Sequence, residues 1–165
     1  MGARNMSQIS NYTFEEISIG QTASFSRLIG EQEILLFAAA SGDVNPVHLD
    51  AKFAAGTMFK ERIAHGMMSG AIISAAIALE LPGPGSIYLG QSLRFRLPVK
   101  IGDELTAQLE VISKREDRKW ITMDCLVINQ HGKTVTSGTA EVMPPLEKLI
   151  IDRPPLPRIQ VEIQS

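Results

Sequence analysis

Apolar residues in the first half of the chain recur at helical spacing. In residues 31–41 the apolar side chains Ile34, Phe37 and Ala38 fall on one helical face, which predicts a helix that ends at Ser41-Gly42. Residues 64–81 are apolar almost all round and rich in Ala, Gly and Ser, which predicts one long helix buried on most sides. Its uncharged stretch, residues 66–79, has 14 residues. A membrane span needs roughly 20, so we predict no membrane association.

The second half of the chain alternates with a period of two, which is typical of strands. This pattern predicts strands at 86–97, 104–112, 119–129 and 133–143. One earlier strand is predicted in the first half, at 21–29. On the strand at 86–97, one face is predicted to hold Ile87, Leu89, Leu93, Phe95 and Leu97, and the other Tyr88, Ser92, Arg94 and Arg96. Strands that follow one another without intervening helices form antiparallel sheets. We therefore predict an α+β fold, with a curved antiparallel sheet wrapped around one long buried helix.

The two ends of the chain differ from the middle. We predict an N-terminal extension at residues 1–13, with Met6 as a native start that leaves residues 1–5 outside the native protein. Residues 14–143 form the predicted domain, and the proline-rich residues 144–165 are expected to run as an irregular strap along the surface.

Composition narrows the class of protein. A chain of 165 residues is the size of one ordinary domain. The 16 basic and 18 acidic residues give a formal charge of −2 with no basic stripe, and aromatic residues make up only 5%, so nucleic acid is a poor candidate partner. Cys125 is the single cysteine, which excludes an intrachain disulfide and favours a reducing, cytoplasmic location.

The densest polar cluster, Asp43, Asn45 and His48, falls in a loop that Asn45-Pro46 turns. On a helix, Asp43 and His48 would point about 140° apart, but in a loop they can converge. A carboxylate beside an imidazole can hold and deprotonate a water molecule. The alternative is that Asp43 caps the next turn and His48 is a structural histidine, and the pair alone favours this alternative.

The second cluster, His65-Gly66, begins the long predicted helix. Free N–H groups at a helix N-terminus favour negative charge, and Gly66 has no side chain to block a carbonyl, so its N–H can stabilise an oxyanion. The alternative is that Gly66 only permits close packing and that His65 only caps the helix.

The remaining candidates carry weaker signals. The three histidines lack the close spacing of a zinc site, so no metal site is predicted. His131 is expected to be exposed in a hairpin turn, and Cys125 to lie in the core. Gln91, on an otherwise apolar strand face, is expected either to meet a substrate or to bond to main chain.

Three segments together resemble the MaoC-like hydratases, and in particular the short, stand-alone (R)-specific enoyl-CoA hydratases of bacteria. They are residues 37–48 (FAAASGDVNPVH), 64–67 (AHGM) and 88–95 (YLGQSLRF). The resemblance covers about residues 14–143 and implies a single hot-dog fold. It also implies a homodimer that joins sheets edge to edge, with acyl-CoA thioesters as substrates and no cofactor.

The resemblance further implies the roles of individual residues. Asp43 and His48 would be the catalytic pair that binds water, and the Gly66 N–H would polarise the thioester carbonyl. Asn45 would hold the loop or bond near the pair, and Ser74 matches a position near the site. Ile77 and Val142 match positions that line an acyl tunnel.

Two other functions remain open at this point. A hot-dog thioesterase would use a carboxylate on or near the long helix, and residues 66–79 contain none. A non-catalytic acyl-CoA-binding module would be expected to lack Asp43 or His48, and both are present.

Overall fold

The computed structural model describes residues 8–161, so the expectation about Met6 and residues 1–5 lies outside the described residues. The helices are α1 (Glu31–Ser41), α2 (Pro46–Leu49), α3 (Ala51–Ala55) and α4 (Met67–Leu79), with a short 3₁₀ turn at Phe14–Glu16. The strands are β1 (Gln8–Ser10), β2 (Thr22–Leu28), β3 (Ile87–Phe95), β4 (Glu104–Arg115), β5 (Trp120–Ile128), β6 (Thr134–Met143) and β7 (Ile150–Asp152).

Five strands form one sheet in the order β2-β4-β5-β6-β3, and every neighbouring pair is antiparallel. This confirms the predicted α+β architecture. Helix α4 packs on the sheet, and its Ile73 and Ile77 belong to the same buried cluster as Leu109, Met123 and Val142. Burial of these side chains is the main favourable contribution to folding. Strands β2 and β3 form the two edges of the sheet.

Helix α4 is shorter than the predicted helix at 64–81. Ala64 donates its N–H to the Val99 carbonyl at 2.8 Å, and Ile63 forms a bridge with Lys100. Because these main-chain groups pair with the segment between β3 and β4, the chain is not helical there and α4 begins only at Met67. One side of α4 is also open, since Met67, Ala71, Ser74 and Ala78 are exposed in the single chain.

The predicted faces of β3 are wrong at its beginning. A bulge between Tyr88 and Gly90 shifts the register against β6, so that Tyr88 lies opposite Val142 and packs against the core. Ile87 and Leu89 are exposed instead. A bulge adds one residue to one strand and thereby reverses the faces on its two sides.

The terminal segments form more regular structure than predicted. Strand β7, within the proline-rich tail, pairs with β1 in a second, two-stranded sheet. Lys148 donates to the Asn11 carbonyl at 2.5 Å and to Glu16 at 2.9 Å, which ties the tail to the N-terminal segment. The expectation of an irregular strap is therefore wrong for Ile150–Asp152, whereas residues 153–161 contain no helix or strand.

Candidate active site

The loop between α1 and α2 is shaped by short-range hydrogen bonds. The Asn45 N–H donates to Asp43 Oδ1 at 3.2 Å, and Asn45 Oδ1 accepts the Val47 N–H at 3.3 Å. Asn45 thus caps α2, with Pro46 at the first helical position. An Asn N-cap followed by Pro is a known helix start, so the sequence contained the signal for a short helix where only a loop was predicted.

His48 lies on α2 and is only 8% exposed. Its Nδ1 lies 2.8 Å from the Ile63 carbonyl. Because a carbonyl oxygen can only accept, Nδ1 carries the hydrogen, and Nε2 of the neutral ring has a free lone pair. This is the protonation pattern that a general base requires.

Asp43 and His48 converge, although they are five residues apart in sequence. An oxygen of the Asp43 carboxylate, a ring nitrogen of His48 and a ring nitrogen of His65 all lie within 4.8 Å of one another. Asp43 is exposed in the single chain while His48 is buried. A water molecule that reached the carboxylate would therefore also be close to the imidazole.

The contact of His48 with His65 was not expected from the sequence. Their ring centroids are 3.9 Å apart with an angle of 31° between the planes, so the two histidines are close after all. His65 also does not cap α4, because its Nε2 lies 2.9 Å from the Asp43 carbonyl and the N-cap residue is Gly66. The signal in the sequence was only the pairing of His65 with Gly66, which gives no indication of a partner 17 positions away.

The cluster of Asp43, His48 and His65 has the residue types of a metal site but not the geometry. A histidine coordinates a metal with a lone pair that lies in the plane of its own ring, about 2 Å from the ion. Two rings stacked at 3.9 Å and tilted by 31° do not direct lone pairs at one common point that close to both. The arrangement favours proton transfer at His48 over coordination.

Gly66 lies immediately before α4 and is exposed. The first turn of the helix is tight, because the Met68 N–H donates to the His65 carbonyl at 3.0 Å and the Ser69 N–H to the Gly66 carbonyl at 3.1 Å. A Cβ at position 66 would lie 3.2 Å from the Phe95 ring. The Gly66 N–H follows directly after His65 and lies at the positive end of the α4 dipole.

The other predicted site residues lie along α4 and β6. Ser74 is exposed, two turns after Gly66 on the open side of the helix. Ile77 and Val142 are 2% and 0% exposed and belong to the core cluster. An acyl chain that passed between them would have to enter the space between α4 and the sheet.

Gln91 on β3 lies beside Tyr88, which packs against the core cluster that contains Cys125. Its Oε1 accepts the Tyr88 hydroxyl and its Nε2 donates to the Ser92 carbonyl at 2.7 Å. Cys125 is buried, as predicted. Burial, together with the nearby Asp124 charge, raises the pKa of the Cys125 thiol to about 12, and burial raises the pKa of Tyr88 to about 12. Both groups are therefore neutral at physiological pH.

A large apolar cleft of about 1040 Å³ is lined by α1, α4 and β2, and the tail forms part of its wall. Phe37 connects this cleft with the site, because its ring lines the cleft and lies 4.9 Å from that of His65. Within residues 8–161, no helix has the length and apolar character needed to cross a membrane.

Comparison with known protein families identifies the class of protein to which this fold and the Asp–His pair belong. Residues 13–132 match the family described as MaoC like domain. The chain belongs to this family, and its sheet and helix form the hot-dog fold that the resemblance implied.

Particular members of the family are similar over most of their length. An (R)-specific enoyl-CoA hydratase from Rhodospirillum rubrum is 47% identical over 134 residues, which cover 80% of this chain and 91% of that protein. An (R)-specific enoyl-CoA hydratase from Aeromonas caviae is 45% identical over 131 residues, which cover 79% of this chain and 98% of that protein.

Solved structures show the same relationship. The unliganded R-hydratase PhaJ1 from Pseudomonas aeruginosa superposes with a TM-score of 0.89 at 54% identity, covering 94% of this chain and all of that one. The A. caviae (R)-hydratase, described as involved in PHA biosynthesis, superposes with a TM-score of 0.77 at 45% identity. This second match covers 79% of this chain and 99% of that one.

Proposed function

We propose that this chain is an (R)-specific enoyl-CoA hydratase, a hydro-lyase that adds water to trans-2-enoyl-CoA and gives (R)-3-hydroxyacyl-CoA. The observation that carries the proposal is the convergence of Asp43 and His48 with His65, the residue before Gly66, with the hydrogen of His48 placed on Nδ1 by the Ile63 carbonyl. The names of the R. rubrum and A. caviae relatives support the same activity.

The proposed reaction uses the Asp43–His48 pair to activate water and the Gly66 N–H to stabilise the charge that develops on the thioester. Asp43 and His48 hold one water molecule, and His48 Nε2 takes a proton from it as the oxygen attacks C3 of the enoyl group. The C2–C3 double-bond electrons move toward the thioester carbonyl, and the Gly66 N–H stabilises the charge that develops on its oxygen. His48 then returns the proton to C2 on the same face, which completes a syn addition.

Asp43 remains ionised in this scheme. Its carboxylate orients the water and stabilises the imidazolium that forms at His48. Asn45 keeps the carboxylate in place through its main-chain N–H and caps α2, so its proposed role is to position the loop near the substrate. Ser74 would contact the substrate beyond Gly66, and Ile77 and Val142 would border the acyl chain.

We further propose that the functional particle is a homodimer. Strand β3 is a sheet edge, and Met67, Phe95 and Leu97 next to the site are exposed apolar side chains. An open edge invites pairing, and a second copy across it would shield the site from bulk water. Sedimentation of the purified chain should give about twice the mass of 18.0 kDa, whereas a monomer at working concentration would contradict this proposal.

The product fits a role in fatty acid metabolism or in supplying (R)-3-hydroxyacyl-CoA for polyhydroxyalkanoate synthesis. The A. caviae structure is described as involved in PHA biosynthesis, which supports this placement. A chain whose single cysteine is a buried free thiol also fits a cytoplasmic location.

Hydration of crotonyl-CoA tests the proposal. The wild-type chain should remove the enoyl absorbance without any release of free CoA thiol. Release of thiol at a rate matching the loss of substrate would indicate a thioesterase, and an unchanged absorbance would contradict the hydratase.

A further inference from the structure

His65 is a buried histidine that the proposed reaction does not use. Its side chain is at the N-terminal end of α4, and the residue is only 2% exposed. Its Nε2 lies 2.9 Å from the main-chain carbonyl of Asp43. Because that carbonyl can only accept, Nε2 must carry the hydrogen, so His65 donates to the backbone of the residue whose carboxylate is proposed to hold the water.

The same ring also contacts the second member of the pair. The centroids of the His65 and His48 rings are 3.9 Å apart with 31° between the ring planes, and the Phe37 ring lies 4.9 Å from His65 at an angle of 41°. His65 therefore contacts Asp43 through a hydrogen bond and His48 through a ring face. Through the chain itself it is also joined to Gly66, the proposed oxyanion donor.

Packing alone does not account for an imidazole at this position. With the hydrogen on Nε2, the Nδ1 lone pair of His65 is buried and has no hydrogen-bond partner among residues 8–161. A buried polar atom without a partner is unfavourable, and a phenyl ring of similar shape would avoid it. Retention of the imidazole is explained if the Nε2–H donor is needed at Asp43.

We propose that His65 is a positioning residue that fixes the Asp43 main chain and the His48 ring relative to each other and to Gly66. The inference rests on the proposed hydratase activity. A hydrogen bond to the Asp43 carbonyl sets where the loop places the carboxylate, and the stacked ring restricts the orientation of His48. Because both groups must contact one water, a small displacement of either reduces turnover more than it reduces substrate binding.

Two substitutions separate the donor from the ring. In His65→Gln the side-chain amide can still donate to the Asp43 carbonyl, whereas His65→Phe retains the ring face and removes the donor. For crotonyl-CoA hydration we expect kcat to fall roughly 10- to 100-fold in His65→Phe with KM within about two-fold of wild type. The kcat of His65→Gln should be at least about five times the kcat of His65→Phe.

The ratio of the two kcat values tests whether His65 acts through its Nε2–H donor. A His65→Gln kcat at least about five times that of His65→Phe supports positioning through the donor, and a smaller ratio overturns it. If the wild-type chain itself fails to hydrate crotonyl-CoA, the proposed function fails, and that result is separate from the comparison of variants.

A measurement on the unmodified chain covers the case in which His65→Phe does not fold. Nitrogen NMR chemical shifts distinguish the tautomers of a histidine ring. The Nε2 of His65 should carry a hydrogen, because it donates to the Asp43 carbonyl. Hydrogen on Nδ1 alone would remove the donor to the Asp43 carbonyl on which the inference depends and would overturn it.

Discussion

The two ends of helix α4 hold their side chains in place by different means. At the N-terminal end, Asp43, His48 and His65 are fixed by hydrogen bonds that involve main-chain groups, and the surface beside them is open. Toward the C-terminal end, Ile73 and Ile77 are fixed by packing against the sheet and are almost fully buried. The first end holds the polar groups proposed for the chemistry, whereas the second contributes stability and is proposed to limit the space for an acyl chain.

This difference predicts where substitutions will act. Changes at the exposed Asp43 should lower turnover and leave the free energy of unfolding nearly unchanged. Changes toward the C-terminal end should lower the free energy of unfolding and alter the choice of acyl chain.

The largest effect is expected for the catalytic pair. Asp43→Asn and His48→Gln should each lower kcat for crotonyl-CoA roughly 10²- to 10⁴-fold, since each removes a group that holds or deprotonates the water. Asp117→Asn and His131→Gln are matched controls, because both residues are exposed in β-turns remote in sequence from the site. Kinetics and thermal unfolding should be measured together. Activity near wild type in either site variant would refute the assignment of the pair.

The next effect tests the packed end. Ile77→Ala should cost about 2–5 kcal/mol in the free energy of unfolding, because it removes a buried side chain and leaves a cavity. It should also shift the relative kcat/KM toward longer enoyl chains in a series from C4 to C12. Ile73→Ala is the control, since Ile73 is equally buried on the same helix. Equal shifts in chain preference for the two variants would contradict a tunnel at Ile77.

A smaller effect is expected for Gly66→Ala. The added methyl group would lie 3.2 Å from the Phe95 ring, on the residue whose N–H is proposed to bind the thioester oxygen. We expect kcat to fall about 10-fold, less than the loss of a complete oxyanion donor. Gly70→Ala is a close control, because its methyl group would lie 3.2 Å from Leu93 on the same helix. If both variants lose activity equally, crowding against β3 explains the loss and the oxyanion role does not.

The smallest effect concerns alkaline stability. The Cys125 thiol ionises near its usual pKa of 9.0 when unfolded but only near a pKa of about 12 in the folded chain. The unfolded state therefore releases its proton first as pH rises, so this contribution to stability is complete below about pH 9 and is lost as pH approaches 12. Between pH 8 and 10.5, the Tm of wild type should fall further than the Tm of Cys125→Ala. Parallel falls would show that the thiol is not the cause.

Local patterns in the sequence predicted a large part of the fold. The bounds of α1 were predicted to the residue, and each of the five strands of the main sheet was located, because each depends on a periodicity within one segment. The reversed faces at the start of β3 were missed because the bulge is defined by pairing with Val142 and Glu141, some fifty residues later. The strand within the tail was missed because β7 forms only against β1.

For the site, too, local patterns in the sequence did not predict contacts between distant segments. The sequence pointed to Asp43, His48 and Gly66 through a motif, and the structure brings Asp43 and His48 together with His65, the residue before Gly66. It did not predict the stacking of His65 on His48 or the bond from His65 to the Asp43 carbonyl. These contacts depend on how α2 and the start of α4 pack, and no local pattern encodes that arrangement.

The stereochemistry of hydration tests whether the chain is an (R)-specific hydratase that depends on Asp43. Crotonyl-CoA should be incubated with the wild-type chain and with Asp43→Asn, and the 3-hydroxybutyryl-CoA formed should be assayed with dehydrogenases specific for the (R) and the (S) product. The wild-type chain should form (R) product alone, and Asp43→Asn should form almost none. Formation of (S) product, or undiminished (R) product from the variant, would contradict this prediction.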